Sequence, residues 1–372
     1  MQAIFKFPTR MVFGQGVLTA LPEELSSLGV SRPMLVTDQG LLPTGIPERV
    51  EAVLTARGLP PALFSDISPN PTDGQVDAGA EAYRAHEADS IVALGGGSPM
   101  DAAKAIQVRV HHGEPLELYD DLLGGDAKIT GPLPPLVAIP TTAGTGSEVS
   151  RSAVITVAAA DRKVVLFSPR LMPAVALCDP ELTYGLPPRI TAETGMDALS
   201  HSLEAFLSLG YHPMADAIAL AAIRMIAASL PRAVARGDDE EARQEMLMAS
   251  AMGAVAFQKG LGVVHSLAHP LSTVAGLSHG LANAILLSHA VRFNAEAVPE
   301  RVAELAAALG ASDRSAEGAA GALEGLVAGV GLPTKLSDAG VEEAQLPVLV
   351  EKSLQDGCHA CNPRPCAAPD ME

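Results

Sequence analysis

The segment IVALGGGSPMDAAKAI, residues 91–106, decides the fold. An apolar run, Ile91–Leu94, leads into three glycines, and a pattern typical of a helix start follows them. Ser98 is expected to be the N-cap, Pro99 the first helical residue and Asp101 the acid of a capping box. The segment therefore predicts a strand, a tight turn and a helix.

Similar apolar runs recur up to about residue 187 and alternate with helical patterns; they cover residues 34–38, 90–94, 135–139, 153–157, 163–167 and 174–178. Such runs, separated by helices, indicate a parallel sheet covered on both faces. After Pro187-Pro188, helical spacing takes over at residues 191–209, 213–235, 240–258 and 295–309. We predict an α/β domain over residues 1–187 and an all-helical domain over residues 188–372, divided at the proline pair.

Composition excludes several classes of protein. Of the 372 residues, 48% are hydrophobic and 18% charged, which is globular composition. A net charge of −18, no Trp and 3% aromatic residues argue against binding to nucleic acid. The N-terminus does not resemble a signal peptide, and no apolar run reaches the roughly 18 residues of a membrane span. Four cysteines do not form a disulfide framework. We expect a soluble cytoplasmic protein, with a C-terminus truncated at Glu372.

The glycines Gly95–Gly97 allow the backbone to approach a ligand closely. The helix start after them presents free N–H groups and a positive dipole end, which favour a phosphate. The pattern differs from G-x-G-x-x-G, so a turn without a ligand is the alternative. Gly14-Gln15-Gly16 lacks a suitably spaced third glycine and is predicted to be a turn.

A second loop, IPTTAGTGSE at residues 139–148, has four hydroxyl groups and two glycines after a strand. Open α/β sheets bind ligands at this end of their strands, although an exposed polar loop would look similar. Asp38 ends an earlier strand and could accept hydrogen bonds from an adenosine ribose. Because it would repel a 2′-phosphate, it predicts NAD rather than NADP, unless it is only a turn residue.

Two pairs of residues spaced by four suggest a metal site. Asp197 and His201 share one helix face, His265 and His269 share another, and His279 follows. Nitrogen and oxygen donors without a thiolate suit Fe(II) or Zn(II), and the histidines suffice even if one does not bind the ion. A single buried histidine usually has a structural role, but a cluster of histidines on apolar helices is more typical of a metal site.

Other metal-binding residue types are predicted to be ordinary. Cys358, Cys361 and Cys366 include a C-x2-C spacing, but a structural zinc site needs a second pair. We predict free thiols in a turn. His111-His112 and His212 lie beside loop-forming residues and are predicted to be at the surface.

These segments together resemble the iron-containing (group III) alcohol dehydrogenases, the family that includes lactaldehyde reductase, over nearly the whole chain. The resemblance is carried by GGGSPMDAAKAI at 95–106, IPTTAGTGSEV at 139–149, GMDALSHSLE at 195–204 and GVVHSLAHPLSTVAGLSHGLAN at 262–283. Asn362-Pro-Arg364 resembles the family's C-terminal tail.

The resemblance implies reversible hydride transfer between NAD and a small alcohol or aldehyde, with a metal ion as Lewis acid. It implies that Asp197, His201, His265 and His279 hold the metal and that His269 is a proton-relay residue beside the nicotinamide. The implied NAD-binding residues are Asp38, Asn70, Gly96, Gly97, Ser98, Thr141, Thr142, Thr145, Lys163 and Leu182. It also implies a homodimer or larger homo-oligomer, built on strands around Phe5–Phe13.

Two alternatives stay open. One is a relative of the same fold: a glycerol-dehydrogenase-like zinc enzyme, a maleylacetate-type reductase or a hydroxyacid–oxoacid transhydrogenase. The other is a non-catalytic metal- or nucleotide-binding protein. All four ligand positions are filled, which favours the iron-type dehydrogenases over the related glycerol dehydrogenases and dehydroquinate synthases.

Overall fold

The computed structural model describes residues 9–160 and 162–372. They divide into two compact units. The sheet unit comprises residues 9–142 and Gly146–Gly185, and the helical unit comprises Ala143–Thr145 and Leu186–Glu372. The predicted domain limits, 1–187 and 188–372, stay a prediction.

The strands are β1 Arg10–Phe13, β2 Pro33–Val36, β3 Ala62–Phe64, β4 Ser90–Gly95, β5 Leu136–Pro140, β6 Ser152–Val157, β7 Arg162–Phe167 and β8 Val175–Cys178. Six of them form a sheet in the order β1-β8-β5-β4-β2-β3, and all of its pairings are parallel. The predicted parallel sheet is therefore confirmed. β2 and β4 are neighbours, but the chain leaves them toward opposite edges. Their carboxyl ends form a topological switch point, where such sheets bind ligands.

The helices are α1 Leu21–Ser27, α2 Ile46–Thr55, α3 Asp73–Ala85, α4 Gly97–His112, α5 Pro188–Leu207, α6 Pro213–Ala235, α7 Glu240–Ala256, α8 Val263–Val274, α9 His279–Asn294, α10 Pro299–Ala308, α11 Ala316–Gly329, α12 Leu346–Gln355 and α13 Ala368–Met371. The first four cover the sheet. Val92 and Leu94 of β4 join an apolar core with α1 and α2 on one face. Ile91 and Ala93 join a second core with α3 and α4 on the other. The strands alternate between faces because successive side chains point in opposite directions.

β6 and β7 do not join the parallel sheet, which corrects the sequence-based prediction. They pair with each other in an antiparallel sheet, with Ile155 opposite Val164. In β6 every second residue is buried, whereas β4 and β5 are buried throughout. β6 therefore has one buried face, and the hairpin packs against α4.

The helical unit contains α5 to α13, in agreement with the predicted all-helical second half. α5 packs against α6, α7 and α9, and α8 packs against α9 and α12. α6 is long and apolar enough for a membrane span by composition, and its contacts in this unit are mainly with α5 and α7. The absence of a membrane-spanning segment stays a prediction.

Candidate functional site

The glycine turn joins β4 to α4 at the switch point. Its first residue, Gly95, has a φ of 141°, and a Cβ there would lie 2.5 Å from Pro99 Cγ. The N-cap is Gly96, so the prediction that Ser98 caps the helix is wrong. Ser98 Oγ instead donates to the Pro69 carbonyl at 2.6 Å. Since the N-cap Gly96 has no side chain to cap α4, the first N–H groups of this helix are suited to an anion.

Asp101 is not a capping-box acid either. Its carboxylate accepts hydrogen bonds from Ser147 Oγ at 2.8 Å and from the Val154 N–H at 3.0 Å. Burial raises the pKa of Asp101, although the positive charge of Lys104 opposes this. Asp101 therefore connects α4 to β6 and to the turn before it.

Two predicted nucleotide-binding residues lie against the glycines. A Cβ on Gly95 would lie 3.3 Å from Asp38 Oδ2, and a Cβ on Gly96 would lie 3.2 Å from Thr142 Oγ1. Burial raises the pKa of Asp38, although N–H groups of Leu41 and Gly40 donate to it. Because Gly95 and Gly96 have no side chains, the space next to the Asp38 carboxylate and the Thr142 hydroxyl group stays open for a ligand.

The other predicted nucleotide-binding residues are more dispersed. Asn70 is exposed and directly follows Pro69, whose carbonyl accepts the hydrogen bond from Ser98. The Thr141 N–H donates to the Gly95 carbonyl at 3.0 Å. The remaining three are Lys163 on β7, near Asp101; Leu182, 2% exposed in an apolar core; and Thr145, which belongs to the helical unit. The structure brings together Asp38, the glycine turn, the segment before Asn70, Thr141 and Thr142.

The four predicted metal ligands come together within the helical unit. α5 carries Asp197 and His201 on one face, α8 carries His265 and α9 begins at His279. Their potential ligand atoms all lie within 4.8 Å of one another. His279 Nε2 is 3.5 Å from Asp197 Oδ1, and the rings of His201 and His265 stack with their centres 4.8 Å apart.

The chemistry of this group fits a divalent ion. His201 Nδ1 and His265 Nε2 are buried, and neither has a hydrogen-bond partner in the described part of the chain. Desolvation holds the pKa of His265 and of His279 well below its usual value, so both imidazoles are neutral. Burial opposes ionisation of Asp197, but the three imidazoles lower the pKa of this carboxyl overall. Three imidazoles and one carboxylate form a typical donor set for such an ion.

Two side chains next to this group were not predicted to have a role there. Asn283 Nδ2 donates to Asp197 Oδ1 at 2.8 Å, and Glu204 Oε2 lies 2.5 Å from His265 Nδ1. Burial raises the pKa of Glu204 to about 7, although hydrogen bonds from backbone N–H groups lower it. Glu204 could have been found from sequence, because it lies three residues after His201 on the same helix.

His269 lies beside the four ligands, with its ring stacked on that of His279 at 5.3 Å. Its Nδ1 bonds Asp356 Oδ2 at 2.7 Å, and Asp356 also accepts hydrogen bonds from Ser266 Oγ and the Cys358 N–H. His269 lowers the pKa of Asp356, although burial opposes this. No sequence signal indicates Asp356, which is 87 residues away from its partner.

The residues predicted to be ordinary behave largely as expected. Cys358, Cys361 and Cys366 are free thiols, and His111 is exposed. His212 is the exception: it is 6% exposed and caps α6, where its Nδ1 accepts the Ala215 N–H at 3.1 Å. The surface prediction for His212 is therefore wrong.

Comparison with known proteins agrees with this arrangement. The iron-containing alcohol dehydrogenase family matches residues 8–180, and the C-terminal part of the Fe-containing alcohol dehydrogenase family matches residues 191–372. The 4-hydroxybutyrate dehydrogenase of Cupriavidus necator is 40% identical, over 99% of this chain and 97% of the relative. The lactaldehyde reductase of Escherichia coli is 36% identical, over 96% of this chain and 95% of the relative.

Solved structures give the same result. A 1,3-propanediol oxidoreductase has a TM-score of 0.95 and 38% identity, over 99% of this chain and 98% of that one. Sulfoacetaldehyde reductase from Bifidobacterium kashiwanohense, solved in complex with NAD+, has a TM-score of 0.89 and 33% identity. The match covers 100% of this chain and 97% of that one. The resemblance inferred from sequence is confirmed: the chain belongs to the iron-containing alcohol dehydrogenase family and is an alcohol oxidoreductase.

Proposed function

We propose that the chain is an NAD-dependent alcohol dehydrogenase that interconverts small alcohols and aldehydes at a divalent-metal centre. The observation that carries the proposal is the group of Asp197, His201, His265 and His279, whose potential ligand atoms lie within 4.8 Å of one another. The reported relatives are named for 4-hydroxybutyrate and lactaldehyde, which are small alcohols or aldehydes. We propose a substrate of the same class.

The four residues would hold Fe(II), with Zn(II) as the alternative, because imidazole and carboxylate ligands accept both ions. When bound, the ion would supply a Lewis acid for the substrate oxygen. The chain contributes two neutral imidazoles, since desolvation lowers the pKa of His265 and His279. It also contributes an ionised Asp197, held by the amide of Asn283.

NAD is the proposed cofactor of the glycine turn. The uncapped first turn of α4 offers N–H groups to a pyrophosphate, and Asp38 offers a carboxylate to the adenosine ribose. We propose that these groups act with Asn70, Gly96, Gly97, Ser98, Thr141, Thr142, Thr145, Lys163 and Leu182. The NAD+ complex of a 33% identical reductase supports this choice of cofactor.

His269 is the proposed proton-relay residue. Its side chain is 31% exposed, so it can exchange a proton with solvent. The hydrogen bond between Nδ1 and Asp356 fixes the ring and leaves Nε2 as the position for proton transfer. Loss of turnover in His269→Ala, with unchanged metal content, would support this role, and unchanged turnover and pH profile would remove it.

We further propose a cytoplasmic homodimer or larger homo-oligomer that binds no nucleic acid or membrane, with residues 1–187 binding NAD and 188–372 binding the metal. The net charge of −18 disfavours contact with nucleic acid. Among the described residues, β1, Arg10–Phe13, is an edge strand, and edge strands offer backbone groups for pairing with a second copy. The rest of the proposed contact region, Phe5–Phe13, includes residues 5–8, which lie outside the described residues.

The first experiment is NADH oxidation with a panel of small aldehydes, including succinic semialdehyde and lactaldehyde. The protein is reconstituted anaerobically with Fe(II) and separately with Zn(II), and His265→Ala is the control. We expect turnover with at least one ion, and loss of bound metal and turnover together in the variant. Absence of turnover with both ions, despite bound metal and NADH, would contradict the proposal. Normal metal content and full turnover in the variant would remove His265 from the ligand set.

A further inference from the structure

The first turn of α8 is capped by residues from elsewhere in the helical unit. Its N-cap, Gly262, has no side chain that could cap the helix. Glu204 on α5 accepts the Val264 N–H at 2.6 Å and the His265 N–H at 3.4 Å, and Asn362 Oδ1 accepts the Val263 N–H at 3.3 Å. A helix start needs such acceptors because its first N–H groups have no intrahelical partner.

Glu204 also contacts the side chain of His265. Its Oε2 lies 2.5 Å from His265 Nδ1, and the two residues are 4% and 2% exposed. In its ionised form Glu204 has only acceptor oxygens, and backbone N–H groups favour that form, so the ring nitrogen is the donor. With the proton on Nδ1, the lone pair is on Nε2, the buried nitrogen that lacks a hydrogen-bond partner among the described residues.

The local sequence makes this contact possible. Asp197, His201 and Glu204 follow one another at spacings of four and three on α5, so they share one face. A Cβ at position 262 would lie 2.8 Å from Glu204 Oε1 and 2.9 Å from Asn362 Oδ1. Only glycine at the start of α8 allows both acceptors to approach.

We propose that Glu204 is a positioning residue of the metal centre: it holds the Nδ1–H tautomer of His265 and thereby sets the affinity for the ion. This inference rests on the proposed function, because it takes His265 as a ligand. Carboxylates that accept the second ring N–H of a ligating histidine fix its orientation and increase its basicity. Glu204 does this while capping the helix that carries the same histidine.

The test is Glu204→Gln, studied by competition between the protein and a chelator for Zn(II). The glutamine oxygen can still accept the Val264 N–H, but its NH2 group then faces His265 Nδ1 and favours the opposite tautomer. That tautomer carries its proton on Nε2 and removes the lone pair meant for the ion. We expect the affinity for Zn(II) to fall by about 10- to 100-fold.

The matched control is Asn362→Ala, which removes an acceptor of the N–H groups at the same helix start. The hydrogen bond that it removes involves Val263 and none of the predicted metal ligands. It should lower the melting temperature and leave the affinity for Zn(II) unchanged. Equal affinity in wild type and Glu204→Gln would overturn the inference and leave the metal centre intact. Equal losses in both variants would also overturn it, by assigning the effect to the helix cap. A wild type that binds neither Zn(II) nor Fe(II) would overturn the proposed function as well.

A second measurement does not require Glu204→Gln to fold. The 15N spectrum of histidine-labelled, metal-free wild type distinguishes the two neutral tautomers of an imidazole. The resonance of His265, assigned by its loss in His265→Ala, should be that of the Nδ1–H form. An Nε2–H form would overturn the inference.

Discussion

Glu148, the last residue of the second loop, is a buried acid with no role in the proposed sites. The residue is 2% exposed, and its Oε1 atom has no hydrogen-bond partner within residues 9–160 and 162–372. Burial raises the pKa of Glu148 to about 7, although the positive charge of Lys104 opposes this. The folded chain therefore keeps this carboxyl group protonated at pH values where the unfolded chain ionises it.

The pKa of Glu148 makes stability depend on pH. Between about pH 4.5 and 7 the unfolded chain releases a proton that the folded chain retains, so the free energy of unfolding falls as pH rises. Glu148→Gln removes this fall, which is about 3 kcal/mol in total. Urea unfolding at pH 5, 6, 7 and 8 should show the wild type losing stability relative to the variant. Parallel profiles of the two proteins would contradict the prediction.

Asp38 is expected to determine the choice between NAD and NADP. Its carboxylate would repel the 2′-phosphate of NADP, and an unfavourable pair of like charges costs enough to change affinity about tenfold or more. Asp38→Gly should raise the ratio of kcat/KM for NADP over NAD by that factor. Asp66, an exposed acid bonded by Gln39, gives the control variant Asp66→Gly, which should leave the ratio unchanged. An unaltered ratio in Asp38→Gly would remove this role.

At the scale of residues, spacing within one helix is what could be predicted. Asp197 and His201 were singled out because four residues return to the same helix face, and His265 and His279 because they belong to a histidine cluster on apolar helices. The choice of these four as ligands came from the family resemblance. Asp356 could not be found, since its contact with His269 depends on where the end of α12 packs. Ser98 was misassigned because serine suits an N-cap, whereas its hydroxyl group bonds Pro69 instead.

Close packing of α5 and α9 brings their predicted metal ligands together. Gly280, the residue after His279, is buried, and a Cβ there would clash with the Glu193 carbonyl on α5. Gly280→Ala should separate the two helices, lower the free energy of unfolding by about 1–3 kcal/mol and weaken Zn(II) binding. Gly325→Ala, in open space on α11, is the control and should raise stability by about 1 kcal/mol. Chemical denaturation and chelator competition measure both effects; a normal Zn(II) affinity in Gly280→Ala would contradict the argument.

At the scale of elements, long segments were predicted well and short ones poorly. α6 was predicted at its observed bounds, Pro213–Ala235, because its apolar spacing extends over many turns. β3, of three residues, was not identified as a strand, since so few residues establish no period. β1, of four residues, was expected only from the family resemblance, within strands around Phe5–Phe13. The β6–β7 hairpin was recognised as two strands but assigned to the wrong sheet. Its one-sided burial is a consequence of tertiary packing that apolar content alone does not specify.

The whole molecule adds contacts that no local pattern contains. Ala143–Thr145 lies between two segments of the sheet unit but belongs to the helical unit. Gly144 explains this: its carbonyl accepts Ser250 Oγ at 3.0 Å, and a Cβ would lie 2.8 Å from Thr194 Cβ. Both partners are distant in sequence, so a prediction based on neighbouring residues assigned this loop to the first domain as a whole.

Metal and cofactor should therefore stabilise different parts of the chain. An ion held by α5, α8 and α9 binds only while these helices are folded, so at 100 times its Kd it stabilises them by about 2.7 kcal/mol. Where exchange requires opening of the site, amide hydrogen exchange in these helices should slow by about 100-fold on adding Zn(II). NAD+ should instead protect the end of β4 and the first turns of α4. His265→Ala should abolish the Zn(II) effect and keep the NAD+ effect. Protection by Zn(II) spread evenly over the chain, or absent from α8, would contradict the assignment of the ligands.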